Sequence, residues 1–222
     1  MKIHTIKLSL ANCYLLEAQA GFVLVDSGAS TSRPRLEKGL ENAGCRPGGL
    51  NLVIATHGDA DHVGSSAYLR QRYATKLAMH PADVEAAQTG DATLIRKFPH
   101  SLGGSINKAM LRLFTLKPED RFTPDILLED GDNLSAYGVD AQVVHIAVHS
   151  NGSIGLLTPE GAFLCGDLFV NYSRPAPGPL IFGRQAFKAA LAKLDQLNIH
   201  SVYPGHGKPF AWEQYEKPNR TA

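Results

Sequence analysis

Four side chains that can bind a metal ion lie within six residues of one another, in the run Thr56-His57-Gly58-Asp59-Ala60-Asp61-His62. Histidine nitrogens and aspartate oxygens are both usual ligands of zinc and related ions. The run follows the apolar stretch Leu52 to Ala55 and precedes a helical pattern that begins near Val63, so it is expected to form a loop. A helix cap would explain only one of the four side chains. The pattern therefore predicts a loop that holds a metal centre.

Four further residues of metal-binding types stand at or near the ends of other apolar runs. Asp26 lies in Val25-Asp26-Ser27-Gly28, His149 in Val148-His149-Ser150-Asn151-Gly152-Ser153, Asp167 in Leu164-Cys165-Gly166-Asp167 and His206 in Tyr203-Pro204-Gly205-His206-Gly207. A side chain at the end of a strand projects from a rigid sheet edge, and rigid elements hold sites more precisely than loops do. We expect these residues to lie near the loop.

The alternation of short apolar runs with turn residues predicts sheets covered by helices. The predicted strands are Ile3 to Leu8, Cys13 to Leu16, Phe22 to Val25, Leu52 to Ala55, Ala141 to Val148, Ile154 to Leu157, Ala162 to Leu164 and Ser201 to Tyr203. The predicted helices are Pro34 to Ala43, Val63 to Tyr73, Pro81 to Gln88, Ile106 to Phe114 and Arg184 to Leu197. Because no internal repeat or Gly/Ser-rich linker interrupts the chain, residues 1–222 are expected to form a single domain.

The run from His57 to His62 and the four blocks around Asp26, His149, Asp167 and His206, in their order along the chain, resemble the metallo-β-lactamase superfamily. The signature of that superfamily is H-x-H-x-D-H on a loop after a strand. The resemblance covers nearly the whole chain and departs from the signature at Asp59, where the family has a second histidine. It implies an α/β fold, a four-layer αββα sandwich with helices outside two central mixed sheets. It also implies metal-dependent hydrolysis with a metal-bound hydroxide as the nucleophile.

Carried over residue by residue, the resemblance implies two divalent metal ions. One ion would be held by His57, Asp59 and His149, and the other by Asp61, His62 and His206, with Asp167 bridging the pair. Asp61 would also take part in catalysis. Asp26 corresponds to a carboxylate that orients the ligand loop by hydrogen bonds, although a turn residue before Ser27-Gly28 is an equally good interpretation.

The carboxylate of Asp59 changes what the centre would do. A third negative charge leaves the pair of ions less electrophilic, so that it lowers the pKa of a bound water less. A hard oxygen ligand also shifts preference towards iron or manganese, while zinc remains compatible and is the ion favoured here. Asp is shorter than His, so an alternative is a single ion held by Asp61, His62, Asp167 and His206.

The clearest local charge bias lies between Ala92 and Pro118, which contains five basic residues and no acidic one. One interpretation is an amphipathic helix with a solvated basic face. The other is a cover over the metal centre whose residues, Arg96 and Lys97 among them, attract an anionic substrate. Near Asp167, Tyr172 is a candidate donor to a developing oxyanion and Arg174 a candidate grip on a carboxylate or phosphate.

Composition excludes several classes of protein. Twenty-two Lys and Arg against 21 Asp and Glu give a net charge of +1, so no global field favours nucleic acid or an anionic membrane. No stretch is apolar enough to span a bilayer, and three scattered cysteines without a C-x-x-C pair disfavour a disulfide framework. A cytoplasmic protein is expected, and its oligomeric state is not predicted. His80, His100, His145 and His200 have no motif partner and are expected to be structural or exposed.

The functional expectation is a hydrolase that acts on an ester, thioester or phosphodiester of a small, anionic molecule. The acidic residue at position 59 also resembles the catalytic domain of the flavodiiron proteins, which makes a diiron oxidoreductase the first alternative. The second alternative is a metal-bound sensor without turnover, because ligands alone do not demonstrate catalysis. The absence of G-x-S-x-G, G-x-x-x-x-G-K-[ST] and G-x-G-x-x-G patterns disfavours serine hydrolases, phosphate-binding loops and dinucleotide enzymes.

Overall fold

A computed structural model describes residues 1–98 and 102–219, with side chains as far as Tyr215. Two mixed six-stranded sheets form its centre. The first sheet contains, in spatial order, β1 (Ile3–Lys7), β2 (Asn12–Glu17), β3 (Phe22–Val25), β4 (Leu50–Ile54), β5 (Lys76–Met79) and β6 (Ile126–Leu127). The second contains β7 (Gln142–His145), β8 (Ile154–Leu157), β9 (Ala162–Asn171), β10 (Pro175–Pro177), β11 (Ser201–Gly207) and β12 (Phe210–Ala211), in the order β12-β11-β9-β8-β7 with β10 paired to β9.

The helices lie outside the sheets. They are α1 (Arg33–Asn42), α2 (Ala60–Val63), α3 (Ser66–Tyr73), α4 (Val84–Thr89), α5 (Leu102–Leu111), α6 (Arg184–Leu194) and α7 (Trp212–Asn219). None of the helices in the described ranges combines the length and the apolar character that crossing a bilayer requires.

Three apolar clusters separate four layers. On the outer side of the first sheet, Leu36 and Leu40 of α1 pack in one cluster with Val53. Leu52 and Ile54, whose side chains point to the opposite face of the same strand, belong to the cluster between the sheets. A third cluster, which includes Phe169, Phe187 and Trp212, joins the second sheet to α6 and α7. The αββα sandwich predicted from the sequence is confirmed.

Several elements differ from the sequence prediction. The helix expected from Val63 is divided into α2 and α3 at Gly64-Ser65, and the helix expected from Ile106 begins at Leu102. Strand β5 was not predicted, because four residues between two helices carry too short a pattern. Strand β9 continues through Asp167 to Asn171, since pairing with β10 and β11 satisfies its backbone where its apolar alternation ends.

Strand direction determines where the polar loops meet. β3 and β4 are parallel, so the loop after β3 that carries Asp26 and the loop after β4 that carries His57 leave the same edge of the first sheet. In the second sheet, β9 and β11 are parallel and carry Asp167 and His206, with register shifts around Pro204. Asp167 and His206 both lie beside loops of the first sheet, where Asp167 contacts His62 and His206 contacts the carbonyl of Leu10.

Candidate metal centre

All seven ligand candidates lie in one cluster at this shared edge. Two groups of side chains have ligand atoms that lie within 4.8 Å of one another, namely His57 with His149 and Asp167, and Asp61 with His62 and His206. We call His57, Asp59 and His149 the first donor set, and Asp61, His62 and His206 the second donor set. Asp167 lies between them, with its Oδ2 3.2 Å from His206 Nε2 and 3.8 Å from His149 Nε2.

Both histidines of the second donor set direct a lone pair into the cluster. His62 Nδ1 donates to Asp26 Oδ2 over 2.8 Å, and His206 Nδ1 donates to the carbonyl of Leu10 over 2.7 Å. Because a carboxylate and a carbonyl only accept hydrogen bonds, each Nδ1 carries the proton in the neutral ring. In that neutral form, Nε2 of each ring carries the lone pair that a cation would bind.

The histidines of the first donor set are oriented in the same way. His149 Nδ1 donates to the carbonyl of Pro179 over 2.8 Å. The hydroxyl of Thr56 donates to Asp26 Oδ2 over 2.9 Å and accepts from His57 Nδ1 over 3.0 Å. The hydrogen-bond partners that fix ring orientation and proton position are those typical of histidines that bind metals.

The spacing of the second donor set fits a divalent ion. His62 Nε2 and His206 Nε2 are 3.4 Å apart, and each lies 3.2 Å from an oxygen of Asp167. Asp61 Oδ2 lies 3.5 Å from His206 Nε2 and 3.9 Å from His62 Nε2. Two nitrogens that each bind zinc at about 2.0–2.1 Å in tetrahedral geometry are about 3.3–3.4 Å apart. Asp167 Oδ1 is buried and has no hydrogen-bond partner among the described residues, as expected of a ligand atom.

Gly205 lets the second sheet approach this set closely. A Cβ atom at this position would lie 2.5 Å from Asp167 Oδ1 and 2.7 Å from His62 Cε1. Any side chain here would displace a ligand, so the motif needs glycine before His206.

The first donor set is shared with Arg96. His57 Nε2 and His149 Nε2 lie 3.3 Å and 3.1 Å from Asp59 Oδ2. Arg96 Nη2 donates to Asp59 Oδ2 over 2.5 Å and lies 2.5 Å from His149 Nε2. The side chain of Arg96 is 1% exposed, so the guanidinium is enclosed within the set. His57 Nε2 remains buried without a hydrogen-bond partner in the part of the chain that the structure describes.

Asp26 connects the ligand loop to the end of β3. Its carboxylate accepts hydrogen bonds from the backbone nitrogen of Thr56, the hydroxyl of Thr56 and His62 Nδ1. The residue has a positive φ of 59°, a conformation that Asp and Asn adopt more readily than most residues. Asp26 therefore orients the side chains of Thr56 and His62 through hydrogen bonds.

Asp83 is a structural partner of the site that the sequence did not reveal. Its fully buried carboxylate accepts hydrogen bonds from the backbone of Gly58 and Gly152 and from the hydroxyl of Ser150, so it ties the loop of His57 to the loop of His149. Burial raises the pKa of Asp83 despite these hydrogen bonds. Its position in the run His80-Pro81-Ala82-Asp83, at the start of a helix, also fits an ordinary capping residue, so the sequence carries no clear signal for this role.

The concentrated charges change the pKa values of the cluster. Burial lowers the pKa of His62, but the carboxylates of Asp167, Asp26 and Asp61 outweigh it, so the pKa is raised well above its usual value. Burial raises the pKa of Asp59, but the positive charge of Arg96 outweighs it and keeps the carboxyl ionised. Burial dominates at His149, whose pKa is lowered, which favours the neutral ring that a ligand or a hydrogen-bond acceptor requires.

A pocket of about 490 Å³ opens from both donor sets to the surface. One wall is apolar and is formed by the segment that follows α5, together with residues of three other loops. Its apolar lining residues are Leu10, Ala29, Ala60, Leu111, Leu113, Phe114, Leu116, Pro179 and Leu180. Apart from histidine, Lys117 is the basic residue among the described lining side chains.

The remaining predicted substrate residues lie at different distances from this pocket. Tyr172 lines it and is 72% exposed, and burial followed by the charges of Asp167 and Asp61 raises the pKa of its hydroxyl. Lys97 and Arg174 are exposed and are not among the described lining residues. The exposed side chains of α5 and its extension are largely apolar, with Leu102, Met110 and Leu113 each more than half exposed.

The histidines outside the donor sets that the structure describes are away from the cluster. His80 and His145 stack on each other with ring centroids 3.9 Å apart. His200 Nδ1 lies 3.2 Å from the carbonyl of Glu160. His100 lies outside the described residues.

The family is established by comparison with known proteins. The model of the metallo-beta-lactamase superfamily matches residues 7–206, and the chain belongs to this superfamily. An uncharacterised protein of Mycobacterium leprae is 26% identical over 204 residues, which cover 88% of this chain and 86% of that protein. A hydroxyacylglutathione hydrolase of Haemophilus influenzae is 24% identical over 151 residues, which cover 67% of this chain and 61% of that enzyme.

Solved structures support the fold. A metallo-beta-lactamase family protein from Thermus thermophilus superposes with a TM-score of 0.69 and 22% identity, over 99% of this chain and 78% of that one. The relative from Haemophilus influenzae shows that the superfamily includes hydrolases. The groups of histidine and aspartate side chains in this chain are compatible with divalent metal ions.

Proposed function

We propose that the protein is a metal-dependent hydrolase of small esters or thioesters. The observation that carries the proposal is the convergence of histidine Nε2 lone pairs and carboxylates, with buried ligand atoms left without hydrogen-bond donors, at the base of an open pocket. The related enzyme of Haemophilus influenzae is a hydroxyacylglutathione hydrolase by name, which supports the reaction class.

The residues of the chain have distinct tasks in this proposal. Asp61, His62, Asp167 and His206 would hold a divalent ion, which when bound supplies Lewis-acid chemistry and makes water nucleophilic near neutral pH. Asp26 holds the proton of His62 on Nδ1 and so keeps its Nε2 available. The hydroxyl of Tyr172, kept protonated by its raised pKa, donates to oxygen on a substrate in the pocket. Zinc is the favoured ion, with iron or manganese as alternatives.

The walls of the pocket favour an acyl compound over a phosphodiester. Leu113 and Phe114 offer apolar surface beside the charged cluster, while Lys117 is the basic side chain that a small anion would meet there. An apolar group on the substrate would gain free energy by covering this surface. A small molecule with an apolar acyl or alcohol portion is therefore the proposed substrate.

No observation favours the diiron oxidoreductase or the sensor. The resemblance to flavodiiron proteins rests on an acidic residue at position 59, and the carboxylate of Asp59 is paired with Arg96.

The test is hydrolysis by protein that has been stripped of metal and then reconstituted with Zn²⁺ or Mn²⁺. Acyl thioesters and esters of increasing chain length are compared with bis-aryl phosphodiesters. We expect cleavage of the acyl compounds that a chelator abolishes and that His206→Ala reduces at least 100-fold. Lys188→Met, at an exposed position of α6, is the control that leaves it unchanged. Absence of turnover on every acyl probe by fully loaded protein would refute the proposal.

A further inference from the structure

We propose that the guanidinium of Arg96 takes the place of the first metal ion, so that the chain holds one resident ion, at the second donor set. The inference rests on the proposed function only in assuming that this second set binds a metal. It concerns the number of ions and the residue that replaces one of them, which the family resemblance does not supply.

The position of Arg96 Nη2 is the primary evidence. This nitrogen contacts Asp59 Oδ2 and His149 Nε2, both at 2.5 Å, and these are two of the three atoms that would face an ion in the first donor set. His149 Nε2 carries a lone pair, because Nδ1 donates to Pro179, so it accepts a hydrogen bond from the guanidinium. A metal ion and this nitrogen cannot both occupy that position.

The contact is built into the fold and is not a chance approach of a surface side chain. Arg96 Nη1 donates to the carbonyl of Ala92 over 3.0 Å, which fixes the second arm of the guanidinium. The preceding carbonyl of Ile95 accepts a hydrogen bond from the backbone of Asn151 over 2.8 Å, which anchors the segment to the loop of His149. Ala92, Ile95 and Arg96 are all buried.

Charge explains why the departure from the family motif and this arginine belong together. A histidine at position 59 would offer a neutral ligand to an ion, whereas Asp59 offers a full negative charge that suits a guanidinium. The carboxylates of Asp59, Asp61 and Asp167 are balanced by one divalent ion and the single charge of Arg96. Two ions and the arginine would leave a net charge of +2 on the same groups in a buried cluster.

The experiment counts metal ions in four proteins. Wild type, Arg96→Met, Asp59→His/Arg96→Met and Lys97→Met are stripped of metal and dialysed against excess Zn²⁺, and bound zinc is measured by mass spectrometry. Methionine keeps the unbranched apolar stem, ends near the position of arginine Nε and removes the charged guanidinium. The double variant also restores the histidine of the family motif and leaves no unpaired buried carboxylate at position 59, so it remains informative if Arg96→Met alone fails to fold. Lys97→Met is the matched control on a neighbouring exposed cation.

We expect one equivalent of zinc in wild type and Lys97→Met and two in the double variant. Electron paramagnetic resonance after loading with Mn²⁺ gives an independent readout, with an isolated six-line signal in wild type and a spin-coupled spectrum in the double variant. Two equivalents in wild type, or one in the double variant, would overturn the role of Arg96 and leave the hydrolase proposal standing. One equivalent without hydrolysis would refute the proposed function alone, and no bound zinc in any variant would overturn both.

Discussion

Replacing Asp26 by asparagine should weaken metal binding by changing which nitrogen of His62 carries the proton. Asp26 Oδ2 accepts from His62 Nδ1 at 2.8 Å, while Oδ1 accepts from the backbone nitrogen of Thr56 at 2.8 Å. An asparagine has one accepting oxygen, so its amide must face one of these two donors. The backbone N–H of Thr56 always carries its proton, and leaving this buried donor without an acceptor would cost about 1–3 kcal/mol.

The imidazole of His62 can carry its proton on either ring nitrogen, and we expect the proton to move from Nδ1 to Nε2. With the introduced amide donating to Nδ1, the proton moves to Nε2, the atom that faces the second donor set. Loss of a partner that orients a ligand typically reduces metal affinity about 10–100-fold, equivalent to roughly 1.4–2.7 kcal/mol. The substitution should add little backbone strain, because asparagine tolerates the positive φ of this position.

The assay is competition for Zn²⁺ against a chromophoric chelator, with thermal unfolding measured in parallel. Asp125→Asn is the control, since Asp125 also accepts from a backbone nitrogen, that of Leu77, but lies outside the cluster. Both variants should lose stability, and only Asp26→Asn should lose affinity. An affinity within twofold of wild type in Asp26→Asn would refute the argument from the proton position.

Three further outcomes are expected. Gly205→Ala should reduce zinc affinity more than tenfold in the same competition assay, because the added Cβ would lie 2.5 Å from Asp167 Oδ1, and unchanged affinity would contradict the packing argument. Asp83→Asn should destabilise the protein by about 2–4 kcal/mol in urea unfolding, since it introduces an amide among buried donors, whereas a loss below about 0.5 kcal/mol would contradict this. Burial, followed by the charge of His145, lowers the pKa of His80 to about 4, so stability should be fully present above the unfolded-state pKa of about 6.5 and be lost as pH falls towards 4. After discounting for the partial exposure of the ring, this contribution is about 1–2 kcal/mol, and His80→Asn should flatten the dependence of the melting temperature on pH in this range.

The candidate ligand set could be predicted from the resemblance to the family signature, because each candidate lies in a short block of the sequence. His57, Asp61 and His62 are separated by only one to five positions in a loop after a buried strand, and His206 follows the glycine that close packing requires. In a sandwich of two sheets, strand ends of this kind are brought to one edge by topology alone. Sheets covered by helices could be predicted from the periodicity of apolar runs, and the four-layer order was implied by the resemblance.

The roles of Arg96 and Asp83 could not be predicted, because each depends on a partner distant in the chain. The basic bias around Arg96 is a property of composition and equally fits a solvated helix face. Arg96 and Lys97 differ in where their side chains point. The side chain of Arg96 is enclosed against Asp59, and that of Lys97 is exposed. In the sequence, Asp83 resembles any residue at the start of a helix. Only the fold shows that it lies between the loops of His57 and His149.

Anomalous diffraction at the zinc absorption edge, from crystals of the reconstituted protein, tests the existence of the centre most directly. We expect a strong peak of anomalous difference density enclosed by the Nε2 atoms of His62 and His206 and the carboxylates of Asp61 and Asp167. Zinc located away from these four side chains, or no ordered zinc in fully loaded crystals, would contradict it.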